Sequence, residues 1–206
     1  MQDIRTLLRK TTFKTSANGL NQLPDDSRGE IAFAGRSNAG KSSALNLITG
    51  QKTLARTSKT PGRTQLINYF EVLDGLYLVD LPGYGYAKVP LPMREHWQKI
   101  LQGYFEKRDQ LDALIMMMDS RHPLTELDKQ MLHWCEHQNL PTHILLTKAD
   151  KLSKNEASSS LLKVRKALAE EFTIPITVQL FSSTKPDIGL NEALSYLGEW
   201  IRHHEA

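Results

Sequence analysis

Residues 35–42 decide more about this chain than any other stretch. Gly35-Arg36-Ser37-Asn38-Ala39-Gly40-Lys41-Ser42, followed by Ser43, fits the spacing G-x-x-x-x-G-K-[ST]. An apolar run, Ile31 to Ala34, precedes it, and a helical pattern of Ala44, Leu45, Leu47 and Ile48 follows. A strand that turns through such a loop into a helix gathers backbone N–H groups around one point, where they hold phosphate. Lys41 then counters charge between the β- and γ-phosphates, and the Ser42 hydroxyl is placed to ligate Mg²⁺. A glycine-rich turn carrying a chance Lys-Ser is the competing reading, and the flanking strand and helix patterns argue against it.

The rest of the chain alternates in the same way. Short apolar runs at 66–73, 76–81, 111–118, 143–146 and 176–181 read as strands, and helical spacing appears at 93–108, 125–138, 156–171 and 190–202. The last three strand candidates are almost continuously apolar, as in a parallel sheet covered on both faces. Runs 66–73 and 76–81, joined by Asp74-Gly75, read instead as an antiparallel hairpin. The expected architecture is an α/β three-layer fold, mostly parallel, with one antiparallel edge strand and helices on both faces. Residues 1–28 are polar and read as a leader, docked or partly mobile, ahead of a single domain over 29–206.

Composition narrows the setting. With 40% hydrophobic and 24% charged residues among 206, the chain is neither disordered nor fibrous. The longest apolar run, Ala113 to Met118, is far short of the roughly 18 residues of a membrane span. No secretory signal is readable at the N-terminus, and a lone cysteine, Cys135, makes neither a disulfide nor a Cys-rich metal site. A cytoplasmic protein is expected.

Four further motifs select the chemistry. Asp80-Leu81-Pro82-Gly83 ends the 76–81 run, where a carboxylate can hold Mg²⁺ through water and the Gly83 N–H can meet a γ-phosphate. Thr147-Lys148-Ala149-Asp150 follows the 143–146 run. There Asp150 can accept from N1–H and the exocyclic amine of guanine, a donor pair that adenine lacks, while the stem of Lys148 lies along the base. Phe181-Ser182-Ser183 ends the next strand, with backbone N–H groups available for the guanine carbonyl. Between the first helix and the hairpin, Thr60-Pro61-Gly62-Arg63-Thr64 reads as a mobile loop that brings Thr64 to Mg²⁺. Lys41, Thr64 and Gly83 are thus the expected catalytic set, and Ser42, Thr64 and Asp80 the expected metal set.

The order and spacing of these motifs, with Asp119 to Pro123 and Tyr84-Gly85-Tyr86-Ala87, closely resemble the EngB family (also YihA or YsxC) of bacterial ribosome-biogenesis GTP-binding proteins. The resemblance covers nearly the whole chain. It implies a phosphate-loop GTPase fold and a monomeric, Mg²⁺-dependent GTP/GDP switch that assists maturation of the large (50S) ribosomal subunit, with a link to cell division. Two departures from the broader GTPase pattern stand out. Thr147 replaces the usual asparagine, so loss of the amide that braces the nucleotide loop, and modest affinity, are expected. Tyr84 replaces the glutamine that orients the attacking water, so slow intrinsic hydrolysis is expected, with help from another group, a monovalent cation or the ribosome. Asn38 resembles the asparagine by which potassium-dependent relatives bind K⁺; a loop-bracing asparagine is the alternative.

Net charge is only +3, but between Gln51 and Phe70 lie Lys52, Arg56, Lys59 and Arg63 with no acidic residue. With Tyr84, Tyr86 and Lys88, this stretch suits ribosomal RNA, through phosphate attraction and base stacking, more than DNA. Two other functions use the same phosphate loop. A small-molecule kinase leaves 147–150 unexplained, and a nucleotide-gated division scaffold lacks an anchor for stable membrane insertion. His133 and His137 share a helix face without a further metal ligand, and Met116-Met117-Met118 reads as buried strand.

Overall fold

The structure, a computed structural model, describes residues 3–55, 66–85 and 91–205. Elements run in the order α1 (Ile4–Leu8), β1 (Thr12–Ala17), β2 (Gly29–Gly35), α2 (Lys41–Ile48), β3 (Ile67–Leu73), β4 (Leu76–Asp80), α3 (Leu91–Lys107), β5 (Leu111–Asp119), α4 (Glu126–His137), β6 (Thr142–Thr147), α5 (Lys154–Glu171), β7 (Ile176–Leu180) and α6 (Leu190–Glu205). Short 3-10 turns lie at Leu20–Gln22 and Ala149–Lys151.

Seven strands form one sheet in the order β1-β3-β4-β2-β5-β6-β7. β2 sits between β4 and β5, parallel to both, and β5, β6 and β7 continue the parallel set. β3 runs against its neighbours, and β1 pairs antiparallel to it at the outer edge. β2 and β6 are buried along their whole length, which is why their sequences carry almost no alternation. Consecutive side chains of β5 serve opposite cores. Leu114, Met116 and Met118 face the helices α3, α4 and α5, while Ile115 and Met117 face α1, α2 and α6. The methionine run is therefore strand filling on both faces.

Local chemistry sets the element ends. The β3–β4 hairpin turns on Asp74-Gly75; Gly75 has φ of 71°, and a Cβ there would lie 2.7 Å from the Asp26 carbonyl oxygen. Capping boxes start α4 (Thr125 with Asp128) and α5 (Ser153 with Glu156). β1 is tied down by side chains as well as by its ladder: Lys14 bridges Asp26 and Glu71, and the Tyr77 hydroxyl donates to Asp26 at 2.7 Å. At the opposite end of the sheet from the phosphate loop, fully buried Glu30 accepts from Arg108 Nε and Nη2 at 2.8 and 2.5 Å and from the Tyr104 hydroxyl at 2.7 Å. That pair seats the C-terminal end of α3 on the central strand, and deleting one partner would leave an uncompensated buried charge, a loss of roughly 3–5 kcal/mol. Among the described residues no helix is long and apolar enough to cross a membrane.

Candidate nucleotide site

The parallel strands all point their C-terminal ends to one edge of the sheet, where open α/β sheets place ligands. β2 stops there at Gly35, whose Cβ would meet the Met117 carbonyl oxygen at 3.0 Å. Glycine lets the chain turn close over β5. The loop then passes through two left-handed residues, Asn38 (φ 64°) and Gly40 (φ 93°), before α2 begins at Lys41. The cap of α2 is Gly40, with no side-chain hydrogen bond, and the first helical bond runs from Ala44 N–H to the Gly40 carbonyl. The N–H groups of Lys41, Ser42 and Ser43 thus lack helical partners and face outward at a helix N-terminus, as a phosphate site requires.

Arg36, Ser37, Asn38, Gly40, Lys41, Ser42 and Ser43 line one cavity together with Asp80, Leu81, Pro82, Gly83 and Lys148. Lys41 Nζ is ion-paired with the Asp80 carboxylate at the end of β4. Ser42 on the first turn of α2 and Asp80 opposite it supply the hydroxyl and carboxylate oxygens that suit Mg²⁺. The cavity extends past the loop to Phe13, Ser16, Leu66, Asn68 and Phe70 on the β1–β3 side, residues that no motif marks. Gly62, Arg63 and Thr64 lie outside the described residues, as do Arg56, Lys59, Tyr86 and Lys88.

Thr147 supports the phosphate loop without an amide. Its hydroxyl, buried at the end of β6, lies 2.6 Å from the Ala39 carbonyl oxygen and 3.1 Å from that of Met118. A threonine here does brace the loop, because β6 ends close enough to the phosphate loop for a short side chain to reach. Lys148 adds a second brace, with φ of 59° and its Nζ 2.8 Å from the Asn38 carbonyl oxygen and 3.0 Å from Asp119 Oδ2. Asp119, at the end of β5, also accepts from Arg121 Nε and Nη2 at 2.9 and 2.6 Å. Arg121 first, then Lys148, hold its carboxyl well below the usual carboxylate range. Asp119 and Arg121 therefore fix the lysine expected to lie along the base. Sequence reasoning assigned them no role; the available signal was a carboxylate at the C-terminal end of a parallel strand.

Asp150 is aimed in the same manner. The Ser182 hydroxyl donates to its Oδ1 at 2.6 Å, and Lys151 Nζ lies 3.2 Å from Oδ2. The Ser182 hydrogen bond is the main reason the carboxyl sits below its ordinary value, so Asp150 is an ionised, oriented acceptor at neutral pH. Ala149 N–H bonds the Phe181 carbonyl, joining the two base-side segments. The N–H groups expected from 181–183 are mostly committed already. Phe181 N–H donates to Leu146 O at 2.9 Å and Ser182 N–H to Ile188 O at 3.1 Å, which leaves Ser183 as the available donor of the three. Ser182 acts through its side chain instead.

Asn38 and Tyr84 complete the site. Asn38 is exposed, and its side chain bonds no described residue; only its backbone carbonyl is engaged, by Lys148. The Tyr84 side chain turns away from the cavity, its hydroxyl donating to Asp128 Oδ1 at 3.0 Å. Burial pushes that phenol well above its ordinary value, so it stays a neutral donor. It is not placed to orient a water for attack on a phosphate.

A phosphate loop at a helix N-terminus, a carboxylate at the end of β4, and an oriented carboxylate after β6 define a GTPase of the phosphate-loop class. Residues 30–148, more than half of the chain, match the family described as 50S ribosome-binding GTPase, and the chain belongs to that family. Solved structures agree on the fold. A probable GTP-binding protein EngB superposes with a TM-score of 0.66 at 22% identity, covering 85% of this chain and 100% of that one. A point variant of Aquifex aeolicus Era bound to GDP·AlF4⁻ gives 0.63 at 21%, covering 82% of this chain and 55% of that one. The G domain of the T. maritima FeoB iron transporter gives 0.53 at 26%, covering 84% and 98%.

Proposed function

We propose that this protein is a monomeric, cytoplasmic, Mg²⁺-dependent GTP/GDP switch that assists assembly of the large ribosomal subunit and is needed for normal cell division. The observation that carries the reading is the mechanical union of base and phosphate recognition: Thr147 and Lys148, which lead into Asp150, both bond backbone carbonyls of the phosphate loop. A nucleotide that satisfies Asp150 with guanine therefore meets a loop already held for its phosphates, and adenine would leave that carboxylate unpaired. The same geometry speaks against the kinase alternative, which has no use for a braced, ionised Asp150.

When bound, Mg²⁺ offsets the charge of the β- and γ-phosphates, and Ser42, Asp80 and Thr64 are its proposed protein ligands. Gly83 offers its N–H to the γ-phosphate. Because the Tyr84 hydroxyl is committed to Asp128, intrinsic hydrolysis is slow, and the missing assistance comes from K⁺ beside Asn38 or from the ribosome. Asn38→Ala should abolish K⁺ stimulation. The 50S contact is assigned to the basic stretch Lys52 to Arg63, through ribosomal RNA phosphates. Support for that partner comes from the family description and the charge run together.

Co-sedimentation with purified 50S subunits in GTP, a non-hydrolysable GTP analogue, GDP and ATP, each at two salt concentrations, tests the proposal. Salt-sensitive binding confined to the GTP forms is expected. Binding indifferent to nucleotide, or no binding, would overturn the ribosomal assignment.

A further inference from the structure

The segment after Gly83 is held by a carboxylate that belongs to none of the motifs. Asp128 lies in the first turn of α4 with its side chain 0% exposed. Its Oδ2 closes the helix cap, accepting from Thr125 N–H at 3.0 Å and the Thr125 hydroxyl at 2.8 Å. Its Oδ1 accepts from the Tyr84 hydroxyl and lies 3.7 Å from Arg36 Nε, a buried nitrogen with no hydrogen-bond partner among the described residues. A helix cap needs only one of these oxygens and works at a solvated surface. Burying the whole carboxylate is costly unless both oxygens are matched.

The second oxygen reaches the two loops that would face phosphate. Tyr84 adjoins Gly83, and Arg36 adjoins Gly35. Tyr84 and Arg36 also form a one-residue parallel bridge, in which Ser37 N–H donates to the Tyr84 carbonyl at 2.9 Å and Tyr84 N–H to the Gly35 carbonyl at 3.3 Å. That bridge is short and would fray alone. Asp128 clamps both of its side chains from behind, while the Gly83 N–H bonds no described residue.

We propose that Asp128 is a positioning residue for the γ-phosphate contact: through Tyr84 and Arg36 it holds residues 83–84 against the phosphate loop and so sets the preference for triphosphate over diphosphate. The inference rests on the GTP-switch reading and deepens it. Only a nucleotide with a γ-phosphate touches Gly83, so releasing the clamp weakens that nucleotide selectively. GDP keeps its contacts to 35–43 and 147–150. A rigid donor costs less to order on binding than a loose one, which is the source of the selectivity.

The test is equilibrium binding of fluorescent GDP and a fluorescent non-hydrolysable GTP analogue to the full-length protein. Wild type, Tyr84→Phe, Asp128→Asn, the double variant and Thr125→Ala are compared, with Tm measured for each. Tyr84→Phe and Asp128→Asn should each weaken the GTP analogue about tenfold, the scale of one hydrogen bond to a buried charge, and leave GDP within about twofold. The double variant should lose less than the product of the two single losses, since the Tyr84–Asp128 hydrogen bond is common to both. Thr125→Ala, which loosens only the cap, should lower Tm and keep the wild-type ratio. Equal weakening of both nucleotides in step with Tm, or an unchanged ratio, overturns the proposal. If Asp128→Asn does not fold, Tyr84→Phe decides alone, since it removes a single oxygen. Wild-type protein that binds neither nucleotide would instead refute the GTP reading itself.

Discussion

Replacing Thr147 by valine tests whether the phosphate loop is braced from β6. The exchange keeps the branched shape and removes only the hydroxyl, at a position 1% exposed. The Ala39 carbonyl then loses its 2.6 Å donor, and among the described residues no other group donates to it. Leaving a buried carbonyl unpaired costs about 1–3 kcal/mol, so about 2 kcal/mol is the central expectation. For a chain of this length that corresponds to a fall in Tm of about 4–8 °C. Because the lost brace acts on the loop itself, GDP affinity should fall as well, whereas Thr147→Ser, which keeps the oxygen, should stay close to wild type. Differential scanning fluorimetry with and without GDP, together with titration by a fluorescent GDP, reads both effects. A valine variant with unchanged Tm and unchanged GDP affinity would refute the bracing argument.

Three further outcomes follow from other parts of the site and core. Asp150→Asn replaces an acceptor by an amide, and so should lower GTP affinity by about tenfold or more while favouring xanthosine triphosphate, whose 2-oxo group accepts where guanine donates; competition binding measures the ratio, with the scale set by a charged hydrogen bond. Asp119 titrates below its ordinary value in the folded protein, so its stabilisation is full above the ordinary carboxylate pKa of about 3.9 and is lost progressively as pH falls from there to the depressed native value. Arg121→Ala raises the native value and should move the acid-unfolding midpoint to higher pH, as followed by circular dichroism. Cys135 is fully buried and its thiol is pushed up to about 11, so a thiol reagent at neutral pH should react with it only at the rate of unfolding.

The sequence carried the parallel part of the sheet openly, because β2, β5 and β6 are covered on both faces and read as continuous apolar runs. β1 left no such mark. Thr12 to Ala17 sits at the sheet edge with Phe13 56% exposed, and only its long-range pairing to β3 makes it a strand. The stretch read as a leader thus includes a strand of the sheet. The phosphate loop, Asp80 and Asp150 were legible because their chemistry admits few residue types at fixed spacing. The supporting groups were not. That a threonine hydroxyl suffices at 147 depends on how near β6 ends to Ala39, and Ser182 aims Asp150 from a segment far along the chain. Tyr84 was recognisable as something other than glutamine, but its burial against Asp128 depends on where α4 packs.

Competition binding tests the central claim most directly. Fluorescent GDP bound to the purified protein in Mg²⁺ is challenged with GTP, GDP, ATP and ADP in turn. Displacement by GTP and GDP, with ATP and ADP without effect at the same concentrations, is the predicted result; displacement by ATP as readily as by GTP would contradict the guanine-reading role of Asp150 and with it the account of this protein as a GTP switch.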